Sequence, residues 1–329
     1  MLFVPAALAA DAVSLQVVKR GQIGTAKPSF ALTVNQDADD LAVNVGCGSV
    51  RATREGAASS GDRWEFLLDL PIGTFSCKGS LVGTFSDGTT GEMPLAFSVT
   101  VFPQLQIRLV PGSLSVAKRE VDVLLDRPSS RVEVTVLGPR DVELGGGLSA
   151  VSQPASTPIH VAWSQDAGEV MHLHVRAFDG DGFWSELKLS PWSYSVPHED
   201  VVFATNSAVI DGTEEPKLAA AMDETSGVLD KYGSDVVIKL YVGGHTDTVG
   251  EASKNQDLSM QRALSIARWF KGHGFPGDIY YQGFGEDDLA VATGDGVDEV
   301  KNRRVTYVLA AQSPEMPAGT RAGGWLPLR

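Results

Sequence analysis

Hydrophobic and polar residues alternate with a period of two from about residue 13 to residue 196. Gly, Pro, Asp and Ser break the alternation into short runs such as "FALTV", "REVDVLL" and "RVEVTVL". This pattern is typical of strands with one buried face. It predicts two immunoglobulin-like or fibronectin-like β-sandwich domains in tandem, at 13–103 and 104–198. An outer-membrane barrel is the alternative, but successive segments lack aromatic girdles and a consistent apolar outer face.

The period changes after residue 198. One helical pattern begins at Thr213-x-x-Pro216 and ends at Gly233, and a second follows Ser253-x-x-Gln256, a candidate capping box, and ends at "KGHG". Strand-like runs alternate with these helices: "VVFAT" at 201–205, then "DVVIKLYVGG", "DIYYQGF" and "NRRVTYVLAA". The order β-α-β-α-β-β over 199–311 predicts an α/β sandwich with both helices on one face.

The second predicted helix carries an arginine, Arg262, on its apolar face. At 100° per residue, Arg262 lies in one arc with Leu258, Ala263, Ile266, Trp269 and Phe270. A desolvated cation without a partner costs several kcal/mol. Asp247 is the natural partner, since it ends the adjacent strand in "GGHTD", and Asn255 shares the helix face two turns earlier.

Two interpretations of these three residues remain open at this point. Asp247 and Arg262 form an internal salt bridge that fixes the strand-loop-helix corner, or they are held apart to receive a zwitterion. In the second case the guanidinium donates hydrogen bonds to a carboxylate, the aspartate accepts them from an ammonium group, and Asn255 supplies a neutral hydrogen bond.

Four ordered motifs carry a family resemblance. "HTDTVG", "NQDLSMQRA", "GFGE" and "NRRV", preceded by "VVFATNSAVI", are similar to the OmpA-like peptidoglycan-binding domain over about 199–311. The resemblance implies noncovalent binding of the diaminopimelate in the peptidoglycan stem peptide. The loop "DDLAVATGDG" after "GFGE" lacks a proline that is common in the family, which puts the fine specificity in doubt.

The resemblance also implies the binding residues. Asp247 holds the α-amino group of diaminopimelate and Arg262 its α-carboxylate, and Asn255 and Asn206 correspond to two further polar positions. An arginine of the "NRR" motif also lies near the ligand. Of the two arginines we favour Arg303, and the sequence leaves its neighbour Arg304 open.

The composition narrows the choice of partner and compartment. The net charge of −14 opposes binding to nucleic acid, and no apolar run is long enough for a transmembrane helix. Residues 1–12, "MLFVPAALAADA", are either the remnant of a secretory signal or ordinary N-terminal sequence. Cys47 and Cys77 lie in strand-like runs and are expected to pair in an oxidising compartment, two separate buried thiols being the alternative.

These observations predict an exported protein without catalytic function. His245 lacks both a third convergent metal ligand and a nucleophile, so we expect no enzyme, no metal and no cofactor. The favoured function is a periplasmic protein, associated with the outer membrane through a partner, that binds peptidoglycan and tethers an envelope protein through its β domains. The alternative is a scaffold whose OmpA-like domain does not bind the wall. Residues 312–329 lack periodicity and predict a flexible tail.

Overall fold

The structure is a computed structural model that describes residues 6–7, 12–204, 206–317, 320 and 323–329. The predicted signal remnant at 1–12 lies largely outside the described residues; the structure describes only the strand at 6–7 and the buried Ala12. Strands predominate, and two α-helices occur in the described part of the chain. Neither helix is both long and apolar enough to cross a membrane.

The first unit consists of two sheets around one apolar core. Its strands are β1 (Ala6–Ala7), β2 (Val13–Val18), β3 (Arg20–Gln22), β4 (Ser29–Val34), β5 (Ala38–Cys47), β6 (Val50–Ala58), β7 (Arg63–Leu67), β8 (Gly73–Phe85) and β9 (Thr90–Phe102). One sheet has the order β1-β9-β8-β5-β6, with β3 also pairing with β9, and the other is β2-β4-β7. Phe30 from one sheet and Leu81 from the other share the core. A disulfide joins Cys47 and Cys77, which are direct neighbours across β5 and β8, so the predicted pairing is confirmed.

The second unit is built in the same way. Its strands are β10 (Ile107–Leu109), β11 (Glu120–Leu125), β12 (Ser129–Leu137), β13 (Glu143–Ser149), β14 (Ile159–Ala162), β15 (Ser164–Gln165), β16 (His172–Asp179) and β17 (Trp184–Leu189). The sheets β10-β11-β14 and β15-β13-β12-β16-β17 enclose a second core. Alternate residues of β12, Val132, Val134 and Val136, point into this core, as the period of two predicts.

An arginine joins the first two units. The guanidinium of Arg127 is 3.1 Å from Asp179, and its Nη2 donates a hydrogen bond to Gln22 in the first unit at 2.6 Å. The rings of Phe102 and Phe183 lie 5.2 and 5.9 Å from it. The cation is therefore compensated by a carboxylate, a side-chain amide and two aromatic faces.

The C-terminal unit contains both helices. Its elements are β18 (Ser193–Ser195), α1 (Glu215–Tyr232), β19 (Lys239–His245), α2 (Ala252–Gly272), β20 (Ile279–Gly285), β21 (Val305–Ala310) and β22 (Leu326–Pro327). The sheet order is β18-β21-β19-β20-β22, with β19 and β20 parallel and β21 antiparallel to β19. Both helices pack into one core with Leu240 and Val242. A short 3₁₀ turn at Val300–Asn302 leads into β21.

Three local predictions differ from the structure. The first strand of the C-terminal sheet is β18, inside the range predicted for the second β domain, and residues 201–204 are not a strand. With β18 beside β21, the amide of Val202 bonds to Glu214 instead of to a neighbouring strand. The predicted capping box is also wrong, because α2 begins at Ala252 and Glu251 precedes it without a side-chain cap.

The third difference concerns the tail at 312–329. In its described part, Leu326–Pro327 pairs with β20, and the ring of Trp325 lies 5.2 Å from that of Tyr241. Leu328 packs against the core. Trp325 and Leu328 are partly covered in this way, whereas Leu326 stays exposed. A prediction from periodicity alone does not detect this pairing with β20.

Candidate functional site

A cleft of about 390 Å³ lies beside the carboxyl end of β19. Asp247 enters it from the loop after β19, Asn255 and Arg262 from α2, Asn206 from the segment before α1, and Arg303 from the turn before β21. The remaining lining residues are Val202, Phe203, Thr246, Val249, Leu258 and Asp298. The structure thus brings all five residues predicted for peptidoglycan binding to one cleft.

Two glycines allow α2 to approach the sheet closely. A Cβ on Gly244 of β19 would lie 2.2 Å from the carbonyl oxygen of Ser259, and one on Gly283 of β20 would lie 2.3 Å from the backbone nitrogen of Met260. Any side chain at either position would push the helix away from the sheet. This contact fixes the stretch of α2 that continues to Arg262.

Arg262 is 8% exposed, as its place on the apolar stripe predicts. Its Nε donates to the carbonyl of Ser207 at 3.1 Å, and Nη2 lies 3.5 Å from the carbonyl of Ala204. Its guanidinium also lies 5.1 Å from the ring of Phe203. Among the described residues, no carboxylate lies within 4.0 Å of this guanidinium. Burial first, and then the nearby charge of Arg303, lower the pKa of Arg262, while Asp247 opposes the shift.

Asp247 pairs with Arg303 and not with Arg262, the partner that the salt-bridge interpretation predicts. Its Oδ2 is 2.5 Å from Nη1 of Arg303, and its Oδ1 accepts a long hydrogen bond of 3.3 Å from the amide of Val249. The predicted internal bridge between Asp247 and Arg262 is therefore absent from the described structure. The Arg303 nitrogen also contacts Asp298, and the hydrogen bonds to both carboxylates raise the pKa of Arg303.

The two arginines of the "NRR" motif face different surroundings. Arg303 lines the cleft and contacts Asp247, whereas Arg304 is not among the residues that line it and pairs with Asp288 at 2.9 Å. His245 lies beside this second pair, 2% exposed and stacked on Phe284. Burial and then the charge of Arg304 lower the pKa of His245 to about 3, so the imidazole is neutral at physiological pH. It supports the strand end through contacts of 3.2 Å to the carbonyl of Asp288 and 3.3 Å to Thr306.

The two asparagines occupy different positions. Asn255 is 7% exposed, and its amide nitrogen lies 3.3 Å from the carbonyl of Asp247, 3.2 Å from that of Val249 and 2.9 Å from Glu286. It therefore holds the loop that carries Asp247 against α2. Asn206 is exposed and has a left-handed φ of 52°, a conformation that asparagine tolerates better than most residues.

Comparison with known proteins identifies this unit. Residues 202–303 match the model of the OmpA family. These residues form an OmpA-family domain. Over 105 residues, 34% are identical to outer membrane protein A of Klebsiella pneumoniae, covering 32% of this chain and 28% of that protein. The photosystem I P700 chlorophyll a apoprotein A2 of Gloeobacter violaceus is 30% identical over 148 residues, covering 42% of this chain and 16% of that protein.

The chain therefore spans less than a third of the length of these two relatives. Among solved structures, the peptidoglycan-associated lipoprotein from Burkholderia pseudomallei is 20% identical to this chain. The match covers 33% of this chain and 88% of that one, with a TM-score of 0.27.

The sequence did not single out two cleft residues of the OmpA-family domain. Thr246 is 2% exposed, and its hydroxyl oxygen has no hydrogen-bond partner among the described residues. Asp298 shares the Arg303 nitrogen with Asp247, from a segment that the helical and strand patterns leave unassigned. For Thr246 the sequence does hold a signal, because this residue lies in the "HTD" motif between His245 and Asp247.

Proposed function

We propose that this protein is a non-enzymatic component of the cell envelope that binds peptidoglycan noncovalently through the diaminopimelate of the stem peptide. It acts in the periplasm, and its β units tether an envelope partner. The membership of residues 202–303 in the OmpA family supports an envelope location, since several relatives are named as outer membrane proteins. The disulfide between Cys47 and Cys77 fits an oxidising compartment.

One observation carries the proposal: Arg262 is buried in the cleft wall without a carboxylate partner among the described residues. A desolvated cation in this position attracts an anion strongly, because the local dielectric is low and few water molecules compete. A planar carboxylate matches the guanidinium geometry. Asp247 lines the same cleft and offers a carboxylate to an ammonium group of the same ligand.

The ligand fits this arrangement as a zwitterion. Its α-carboxylate contacts Arg262, its α-ammonium contacts Asp247, and Asn206 adds a neutral hydrogen bond at the cleft edge. Asn255 acts mainly by holding the Asp247 loop. Arg303 contacts Asp247, so the ammonium joins this pair or displaces the arginine from it.

We also infer that the two β units are immunoglobulin-like or fibronectin-like sandwiches occupying about 13–103 and 104–192. The second range ends at residue 192 and not at 198, because β18 pairs with β21 in the sheet of the C-terminal unit. Each unit has two sheets around its own core, which supports this architecture. Such units suit the presentation of a protein-binding surface, which is the role that we assign to them.

The contact between Asp247 and Arg303 favours one competing function. If Arg303 keeps Asp247 neutralised against every ligand, the OmpA-family domain is a scaffold within an envelope complex and does not bind the wall. The two functions differ in whether the purified protein binds the wall at all.

Cosedimentation with isolated diaminopimelate-type peptidoglycan separates the two functions. We expect the wild-type protein to pellet with the wall, and Arg262→Ala to remain in the supernatant while its circular dichroism spectrum is unchanged. Arg268→Ala is the matched control, because Arg268 is on the same helix and is exposed. Failure of the wild-type protein to pellet would contradict wall binding and favour the scaffold.

A further inference from the structure

Two carboxylates, not one, face the ammonium side of the cleft. The same Arg303 nitrogen contacts Asp247 and Asp298. The two acids differ in exposure, since the side chain of Asp247 is 9% exposed and that of Asp298 is 77% exposed. One guanidinium between two carboxylates leaves one negative charge uncompensated at this end of the cleft.

The position of Asp298 is fixed by the backbone on both sides of it. The amide of Val297 donates to the Thr248 hydroxyl at 3.0 Å, which ties it to the residue after Asp247. On the other side, Glu299 accepts a hydrogen bond of 3.0 Å from the amide of Lys301, and this bond begins the 3₁₀ turn. Asp298 is therefore held at the cleft although its side chain is exposed.

The charges of the cleft balance only when Asp298 is included. The ionisable side chains that line it in the described structure are Arg262, Arg303, Asp247 and Asp298, two positive and two negative. Without Asp298 the cleft would carry one net positive charge. A neutral cleft with separated charges favours a zwitterion, whereas a positive one favours any ligand with a carboxylate.

We propose that Asp298 is a specificity-determining residue that makes the cleft require a free ammonium group beside the ligand carboxylate. This inference rests on the proposed function and adds a residue that discriminates between ligands. Asp298 acts in two ways: it attracts the ammonium directly, and it holds Arg303 when the ammonium contacts Asp247. Ligands that keep the carboxylate but have lost the ammonium charge are thereby disfavoured.

The test uses two versions of one tripeptide stem ending in diaminopimelate, one with the free ammonium and one N-acetylated there. Isothermal titration of the full chain gives the affinity ratio of the two peptides. Asp298→Asn should reduce the wild-type preference for the free ammonium by roughly two- to fivefold, because an exposed charge acts through solvent-screened interactions. Asp295→Asn is the matched control: it removes one negative charge from an exposed residue of the same segment, outside the cleft lining, and should leave the ratio unchanged.

The outcomes separate this inference from the proposed function. If the wild-type protein prefers the free ammonium and Asp298→Asn keeps that preference in full, the role of Asp298 is wrong and wall binding stands. An equal reduction of the ratio in Asp295→Asn would show a long-range effect of net charge and would also overturn the assignment. If the wild-type protein binds neither peptide, the proposed function fails, and this inference fails with it. Circular dichroism of both variants checks that they are folded.

Discussion

Arg127 and Arg262 are both largely withdrawn from solvent, but their surroundings are opposite. Arg127, whose side chain is 14% exposed, lies between the first two units within 3.1 Å of Asp179. Arg262 is 8% exposed in the C-terminal unit, and it contacts backbone carbonyls and one aromatic ring. The comparison shows that burial of an arginine is not in itself a sign of a binding site. The informative feature is a buried cation that lacks a carboxylate partner and faces an open cleft.

Removing the guanidinium of Arg127 should have the largest effect on the free energy of unfolding. Arg127→Met leaves Asp179, whose side chain is 4% exposed, without its counter-charge. We expect a loss of about 3 kcal/mol in the free energy of unfolding, since removing one partner strands a buried charge. Differential scanning calorimetry of the full chain measures this loss. Wall binding should be unchanged, because Arg127 lies between the first two units and the cleft is in the C-terminal unit.

Arg131→Met is the control for this experiment. Arg131 is 45% exposed and pairs with Glu133 at 2.8 Å on the surface of the same unit. Its replacement should cost no more than about 1 kcal/mol, as for most exposed ion pairs. Similar losses from Arg127→Met and Arg131→Met would show that the pair of Arg127 and Asp179 contributes little to stability.

His245 is a third buried basic side chain, and it differs from Arg127 and Arg262 because it is uncharged in the folded protein. Its pKa is lowered from 6.5 to about 3 in the folded protein, mainly by burial. The unfolded chain therefore binds more protons than the folded one between these pH values. The contribution of neutral His245 to the free energy of unfolding should be fully present above pH 6.5. It should decrease by about 1.4 kcal/mol per pH unit as the pH falls from 6.5 toward 3.

Calorimetry between pH 7 and pH 5 tests this dependence before most carboxylates titrate. His245→Asn should lower the slope of stability against pH relative to the wild-type protein. Gln261→Asn, a change at an exposed residue of the same unit that does not titrate, should leave the slope as it is. An unchanged slope in His245→Asn would mean that His245 is not the buried neutral group described here.

The smallest effect on stability is expected from Arg262→Met. This change leaves no carboxylate stranded, and methionine suits the apolar stripe of α2, so the free energy of unfolding should change by less than about 1 kcal/mol. Calorimetry beside Arg127→Met makes the comparison direct, because the substitution is the same. A loss as large as that of Arg127→Met would assign Arg262 to the stability of the fold.

Much of the fold follows from the sequence because local periodicity and burial agree. The period of two in β12 and the 3.6-residue period of α2 place their residues correctly, including Arg262 on the buried face. The strand-like contexts of Cys47 and Cys77 predict that they pair, and the two residues are direct neighbours across β5 and β8. In these cases the local pattern and the tertiary contacts select the same conformation.

Other features could not be predicted, because tertiary contacts decide them. "VVFAT" has the composition of a strand, yet the three-residue β18 takes the place beside β21. The partner of Asp247 is Arg303, 56 residues later in the chain, and no spacing rule selects it over Arg262. Asp298 is held at the cleft by backbone contacts such as that of Val297 with Thr248, 49 residues earlier in the chain, which no local pattern indicates.

The central claim is that Arg262 is buried in order to meet a ligand carboxylate. The most direct test is isothermal titration of the wild-type protein and Arg262→Met with a diaminopimelate tripeptide and with the same peptide amidated at the α-carboxylate of the diaminopimelate side chain. We predict that amidation weakens binding to the wild-type protein about tenfold or more, since a charge-assisted bidentate contact is lost, and changes binding to Arg262→Met little. An equal loss on amidation in both proteins would contradict the claim, because the carboxylate would then be recognised elsewhere.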